Sequence, residues 1–330
     1  MNALDTLLSP VVMFFALGLF AALLRSPMSV PQSFAKGLAI YLMMAIGLKG
    51  GVEMSKTAMD GQVFAVFGVA TLFSFGLPLI AYLMLRLTSG LSRTDAAATA
   101  GHYGSISIVT FVAAIDALRI AGIPSSGYLV AVAAIMETPA IITALWLALR
   151  GGQGRREGDV EAGGVRDKGE LAREVLLNAS VVVLIGSLVI GATAGEDGYE
   201  RLAPFFTAPF QGILCLFMLD MGLNAGRGLR RGWRKLGVAP IAFGLYMPLI
   251  GAGIAVAVSS VIGLPPGDAT LLMVLSASAS YIAVPAAMRL ALPESDPSVY
   301  LTLSLGVTFP FNIALGIPIY MAVAAAVLGG

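Results

Sequence analysis

Two runs of small and hydroxyl-bearing residues carry the chemistry this chain can do. The first is Thr99-Ala100-Gly101-His102-Tyr103-Gly104-Ser105-Ile106-Ser107; the second is Ala277-Ser278-Ala279-Ser280-Tyr281-Ile282-Ala283-Val284-Pro285. Each sits within an uncharged apolar stretch, where glycine, serine and proline break a helix and free part of its backbone. A helix that restarts after a break offers unpaired N–H groups and about half a positive charge at its new N-terminus. Gly104-Ser105-Ile106-Ser107 reads as one such restart. Ile282-Ala283-Val284 reads as the other, with Pro285 suited to a first helical turn. Two positive helix ends facing one another make a site for a small anion, to which the hydroxyls of Ser105, Ser107, Thr110 and Tyr103 add hydrogen bonds.

A second set of residues offers oxygen to a cation. Glu137 lies inside an apolar stretch, where an ionisable group is costly and therefore points to function. With Thr138 and carbonyls loosened by Pro139, it forms a plausible ligand set for sodium. Thr308 and Asn312, flanking Pro310, supply oxygens at the related place later in the chain. Asp220 is the other acid within a span, read either as a structural partner of Lys49 or as a proton acceptor. His102 is the sole histidine, which excludes a multi-histidine metal site. It reads as a packed, hydrogen-bonded side chain, with a proton relay as the alternative.

The elements that position these groups are set by composition. Hydrophobic residues make up 58% of the 330 and charged residues 12%, against roughly 45–50% and 25% in soluble domains. A soluble fold cannot hide that much apolar surface. Nineteen acids against twenty bases leave no field for nucleic acid. The single Cys215 excludes an internal disulfide and cysteine-rich metal centres. The chain reads as a multi-span membrane protein.

Uncharged stretches of 18 or more residues mark membrane helices. Seven occur: 6–24, 61–85, 96–115, 175–195, 236–267, 269–288 and 297–330. Three more are interrupted only by isolated charges: 33–52 (Lys36 and Lys49 near its ends), 126–149 (Glu137) and 202–226 (Asp220). The expectation is ten transmembrane helices, the fourth and ninth of them broken. Residues 151–170, with seven glycines and nine charges, form a flexible solvated linker, either a tether or a docking site for a regulator. It divides the chain into a first five-helix repeat, 1–150, and a second, 171–330.

An odd number of helices per repeat means the second copy enters the membrane inverted, the architecture of many secondary transporters. The second helices of the two halves share a Met-x-x-x-Gly-Leu-x-x-Gly frame, at Met43-Gly47-Leu48-Gly51 and Met218-Gly222-Leu223-Gly226. Loops on one side of the membrane hold sixteen Lys and Arg and those on the other side four. The basic side is cytoplasmic by the positive-inside rule, which puts both termini outside. Asp5 stands where a cleaved signal would carry a base, so the first stretch reads as a retained helix. No hydrolase triad order, zinc-protease motif or phosphate-binding loop is present, so the chain does not read as an enzyme.

At these residues the chain resembles the sodium-dependent bicarbonate transporters first described in cyanobacteria. The resemblance rests on Ile46-Gly47-Leu48-Lys49-Gly50-Gly51, Met136-Glu137-Thr138-Pro139-Ala140, Met221-Gly222 and Ala291-Leu292-Pro293-Glu294-Ser295-Asp296-Pro297-Ser298-Val299-Tyr300. It implies an elevator-type carrier in which a core domain moves against a gate domain, assembled as a homotrimer in a bacterial plasma membrane. It further implies bicarbonate between the broken helices, sodium as coupling ion in place of any organic cofactor, and a PII-like cytoplasmic regulator. The chain departs from cyanobacterial members, which carry Asp-Ile-Ser-Gly-Pro-Pro where Tyr281-Ile282-Ala283-Val284-Pro285-Ala286 stands here, and Asp in place of Glu137. The resulting expectation is sodium-coupled uptake of a small inorganic anion, bicarbonate foremost. A sodium symporter for an organic anion and an anion channel of the same fold are the alternatives.

Overall fold

The fold comes from a computed structural model. The structure describes residues 9–151 and 179–329 apart from Thr57, Thr138, Ile282, Ala283, Ala286, 289–291 and Pro293. The described residues form helices and no strand. In order they are α1 (Pro10–Leu23), α2 (Gln32–Lys56), α3 (Gly61–Thr88), α4 (Arg93–Gly104), α5 (Ile108–Ile120), α6 (Leu129–Glu137) and α7 (Pro139–Gly151). After the linker come α8 (Ala179–Phe206), α9 (Phe210–Leu236), α10 (Val238–Ile262), α11 (Pro266–Ala277) and α12 (Pro297–Leu328). The greater part of the linker, 152–170, lies outside the described residues.

Among the described residues, length and apolarity fit six helical units to cross a membrane, fewer than the ten expected: α2, α3, α4 with α5, α6 with α7, α10 and α12. A seventh is the pair 182–206 and 210–230, bent by 53°. Helix α1 is apolar but only 14 residues long. With no water in a bilayer core, backbone groups must bond within the segment, which is why so apolar a chain becomes helical throughout. Starts are set by side-chain caps: Ser9 accepts from Val12 N–H, Asp60 from Gln62 and Val63, and Ser92 from Asp95.

Two helix pairs pack most extensively, α1 along α9 and α2 along α8, and α9 also lies on α12. Their closeness explains the repeated glycine frame. A methyl group at Gly222 would collide with the Phe15 carbonyl, and one at Gly51 with that of Leu188. Small residues let the backbones approach, the packing mode that holds helices together in lipid. Helix α3 packs on α4, α6 and α7, while α10 packs on α11 and α12, so the chemistry-bearing spans gather among these helices. Within α12 two stretches, Thr302–Thr308 and Asn312–Gly316, wind as π-helix around Phe309–Phe311. Such widened turns relieve the clash of Pro310 with the preceding turn.

Candidate functional site

The first hydroxyl-rich run is a helix break. Helix α4 ends at Gly104, the chain runs extended through Ser105 and Ser107, and α5 begins at Ile108. This corrects the expectation that Gly104-Ser105-Ile106-Ser107 starts a half-helix: Gly104 ends α4, Ser105 and Ile106 span the gap, and Ser107 is the cap. Ser107 Oγ accepts from the Thr110 N–H at 3.2 Å and from the Thr110 hydroxyl at 2.9 Å. Capping is cheaper for serine here than continuing the helix, because its side chain replaces a missing backbone acceptor.

The second run is broken too, and it lies across the first. Helix α11 ends at Ala277, and the hydroxyl of Ser278, which follows it, accepts the Ser107 N–H at 2.9 Å. Ser280 N–H donates to the His102 carbonyl at 2.8 Å, and His102 Nδ1 lies 2.5 Å from the Ser280 carbonyl. A carbonyl only accepts, so Nδ1 carries the proton and Nε2 is left as an acceptor. Nε2 is buried without a partner, and the ring stacks on Tyr300 at 4.5 Å. His102 thus clips the two breaks together as a packed, hydrogen-bonded side chain. Ile282 and Ala283 lie outside the described residues. Val284 is fully buried and packs with Ala98, Ile141 and Met288 rather than facing an open space.

Tyr103 and Thr308, expected in separate ligand sets, are bonded to each other at 2.7 Å, and Thr308 also donates to the Gly244 carbonyl at 2.7 Å. Gly104 lies against Pro78 of α3 and Ala140 of α7, and Ile106 is buried in the main core. Asn312 donates to the last carbonyl of α11, Ala277, at 2.9 Å and accepts from Tyr320 at 2.8 Å. Glu137 closes α6 and is buried; Thr138, its expected co-ligand, lies outside the described residues. Beside it Ser74 bridges the α6–α7 junction, donating to the Met136 carbonyl at 2.6 Å and accepting the Ala140 N–H at 3.1 Å. Among the described residues no cluster of three His, Cys, Asp or Glu side chains is placed to hold a metal.

Asp220 does not pair with Lys49. It accepts from Asn224 one turn on, at 3.1 Å, while Lys49 is exposed on α2. Four further groups prove structural that sequence reading passed over. Asp268, in the first turn of α11, accepts the Ser126 N–H at 2.7 Å and the Tyr128 hydroxyl at 3.1 Å. Asp95, in the first turn of α4, accepts the Asp296 N–H at 2.8 Å. Ser278 and Ser280 lie in the quoted run, yet their partners are far off in sequence. An acid in the first helical turn, where the dipole favours it, is the one signal that pointed to Asp95 and Asp268.

The family model described as the Na+-dependent bicarbonate transporter superfamily matches residues 10–325. No curated protein matches the chain.

Proposed function

The chain belongs to the Na+-dependent bicarbonate transporter superfamily, and from that premise we propose that it is a secondary carrier, taking a small oxyanion, bicarbonate foremost, into the cell with sodium. This is a family of transporters rather than enzymes. The observation that carries the reading is the crossing itself: two interrupted spans, joined by the His102–Ser280 and Ser107–Ser278 hydrogen bonds, with the capped start of α5 at their meeting point. An interrupted span is tolerated in lipid only where protein or a cavity surrounds it, and a helix start there favours negative charge.

The proposal includes ten spans in two inverted halves, 1–150 and 171–330, joined by the linker 151–170. Paired contacts support it. Helix α1 lies along α9 as α2 lies along α8. The first-turn acid of each broken span, Asp95 or Asp268, holds the backbone N–H of the loop that enters the last span of the other half. The packing of these pairs supports an elevator in which α1, α2, α8 and α9 are the gate and the remaining helices the moving core. Both termini face outside in this reading. The trimer and a PII-like regulator at the basic face follow from the family alone.

Purified protein in proteoliposomes is expected to show saturable uptake of labelled bicarbonate that requires an inward sodium gradient. Uptake without saturation or sodium dependence would make it a channel, and preference for acetate over bicarbonate would make the substrate organic.

Glu137 is proposed as a sodium ligand from the core. A unit charge pair at ~4 Å is worth ~4 kcal/mol in an effective dielectric of ~20, so a fraction of that contact governs sodium affinity. Glu137→Gln keeps shape and removes charge; half-saturating sodium is expected to rise roughly ten-fold while half-saturating bicarbonate, measured at high sodium, stays put. Unaltered sodium dependence would leave Glu137 a buried structural acid.

A further inference from the structure

Several buried hydroxyls at the crossing are left without a partner. Ser107 Oγ already accepts twice from Thr110, so both lone pairs are taken and only its proton remains to be given. The Tyr281 hydroxyl, nine-tenths buried, comes close to the Ser107 hydroxyl, but no well-formed hydrogen bond joins them. Ser105, buried in the same break, has an unpartnered hydroxyl as well. Buried hydroxyls in native proteins find partners, and with both Ser107 lone pairs taken the protons of Ser107 and Tyr281 cannot both be spent on each other. The group that satisfies all of them is an acceptor, and an oxyanion offers several acceptor oxygens at once.

The ring of Tyr281 is held as firmly as its hydroxyl is free. It meets Phe309 edge-on at 5.2 Å, and Phe309 meets Phe15 of α1 edge-on at 5.2 Å. The phenol is therefore aimed by packing that does not depend on a ligand, the condition for a group that selects among ligands.

We propose that Tyr281 is a direct anion-binding residue of this chain, its hydroxyl donating to one oxygen of a small oxyanion beside the hydroxyls of Ser105 and Ser107. Its ring closes that side of the site against Phe309. The inference rests on the anion-carrier reading, and deepens it by naming a side-chain donor that selects for oxygen acceptors. A hydroxyl oxygen also binds sodium, so the test separates anion from cation.

Tyr281→Phe keeps the ring and its Phe309 contact and removes only the hydroxyl. Wild-type and variant full-length protein are compared by proteoliposome uptake and by thermal stabilisation in detergent, using bicarbonate, nitrate, acetate and sulfate, with and without sodium. For the anion that wild type binds, the variant is expected to need roughly ten- to a hundred-fold more, the loss of one hydrogen bond to a charged group. Half-saturating sodium, measured at high anion, is expected not to change. An unchanged anion requirement overturns the inference and leaves the bicarbonate reading standing. A change in sodium dependence alone also overturns it, making the phenol a cation ligand. If acetate or nitrate replaces bicarbonate in wild type and the variant weakens it, the inference stands and the bicarbonate reading falls. If none of the four anions is transported or stabilises wild type, both fall.

Discussion

Gly104→Val is expected to abolish uptake and to lower the melting temperature of the purified protein. Gly104 is the last residue of α4, immediately before the break. A Cβ there would overlap the Pro78 ring of α3 and come within 3.0 Å of Ala140 Cβ. Neither neighbour can swing away, because a proline ring has no free rotamer and an alanine methyl is fixed to its backbone. The strain must be relieved by moving α4, and with it the residues that meet Ser278 and Ser280. Overpacking of a core costs ~1–3 kcal/mol and sometimes more; here it falls on a break whose hydrogen bonds define the site. Valine adds two further methyl groups and β-branching, so Gly104→Ala is expected to fall between wild type and valine. Uptake per folded protein, together with melting in detergent, separates loss of the site from loss of the fold. A valine variant that transports at the wild-type rate would show that the crossing is not where the substrate passes.

The second large effect is expected at Asp268. Its carboxylate is 2% exposed and accepts from the Ser126 N–H and the Tyr128 hydroxyl. It pins the loop before α6 to the start of α11, and Gly267 beside it leaves no room between that helix and the Pro124 carbonyl. Asp268→Ala removes both acceptors and leaves Tyr128, which is buried, without a partner. Hydrogen bonds to a charged group are worth ~1.5–3 kcal/mol each, so the loss of two is on the order of 3–6 kcal/mol, read as a fall of several degrees in melting temperature. Asp268→Asn keeps one acceptor oxygen and is expected to recover part of it. Asp95, less buried, is expected to tolerate the same change better. Equal melting of Asp268→Ala and wild type would mean that the loop is held by packing alone.

Much of this was legible in the residues. Apolar length and spaced charges placed the helices, since a chain in lipid has to satisfy its backbone within each segment. The break at Ser105–Ser107 was legible because glycine and serine interrupt an otherwise apolar helix, though its restart was read too early: Ser107 turned out to be the cap before Ile108 rather than part of the helix. The glycine frame was legible as a repeat but not as a contact. Only the packed structure set Gly222 on Phe15 and Gly51 on Leu188.

The pairings were beyond reach of the sequence. Tyr103 with Thr308 and His102 with Ser280 join residues separated by 205 and 178 positions, and no local periodicity records such a partner. Asp220 shows the same limit from the other side: Lys49 was a sensible partner by charge, yet it stands exposed while Asp220 bonds to Asn224. By itself the sequence determined the membrane class, the helical make-up and the run in which the first break falls, because those follow from each segment's own solvation and backbone preferences. Which hydroxyls are spent on each other and which are left free, as at Tyr281, was decided by tertiary structure, since a hydrogen bond between distant segments exists only once packing has brought its donor and acceptor together.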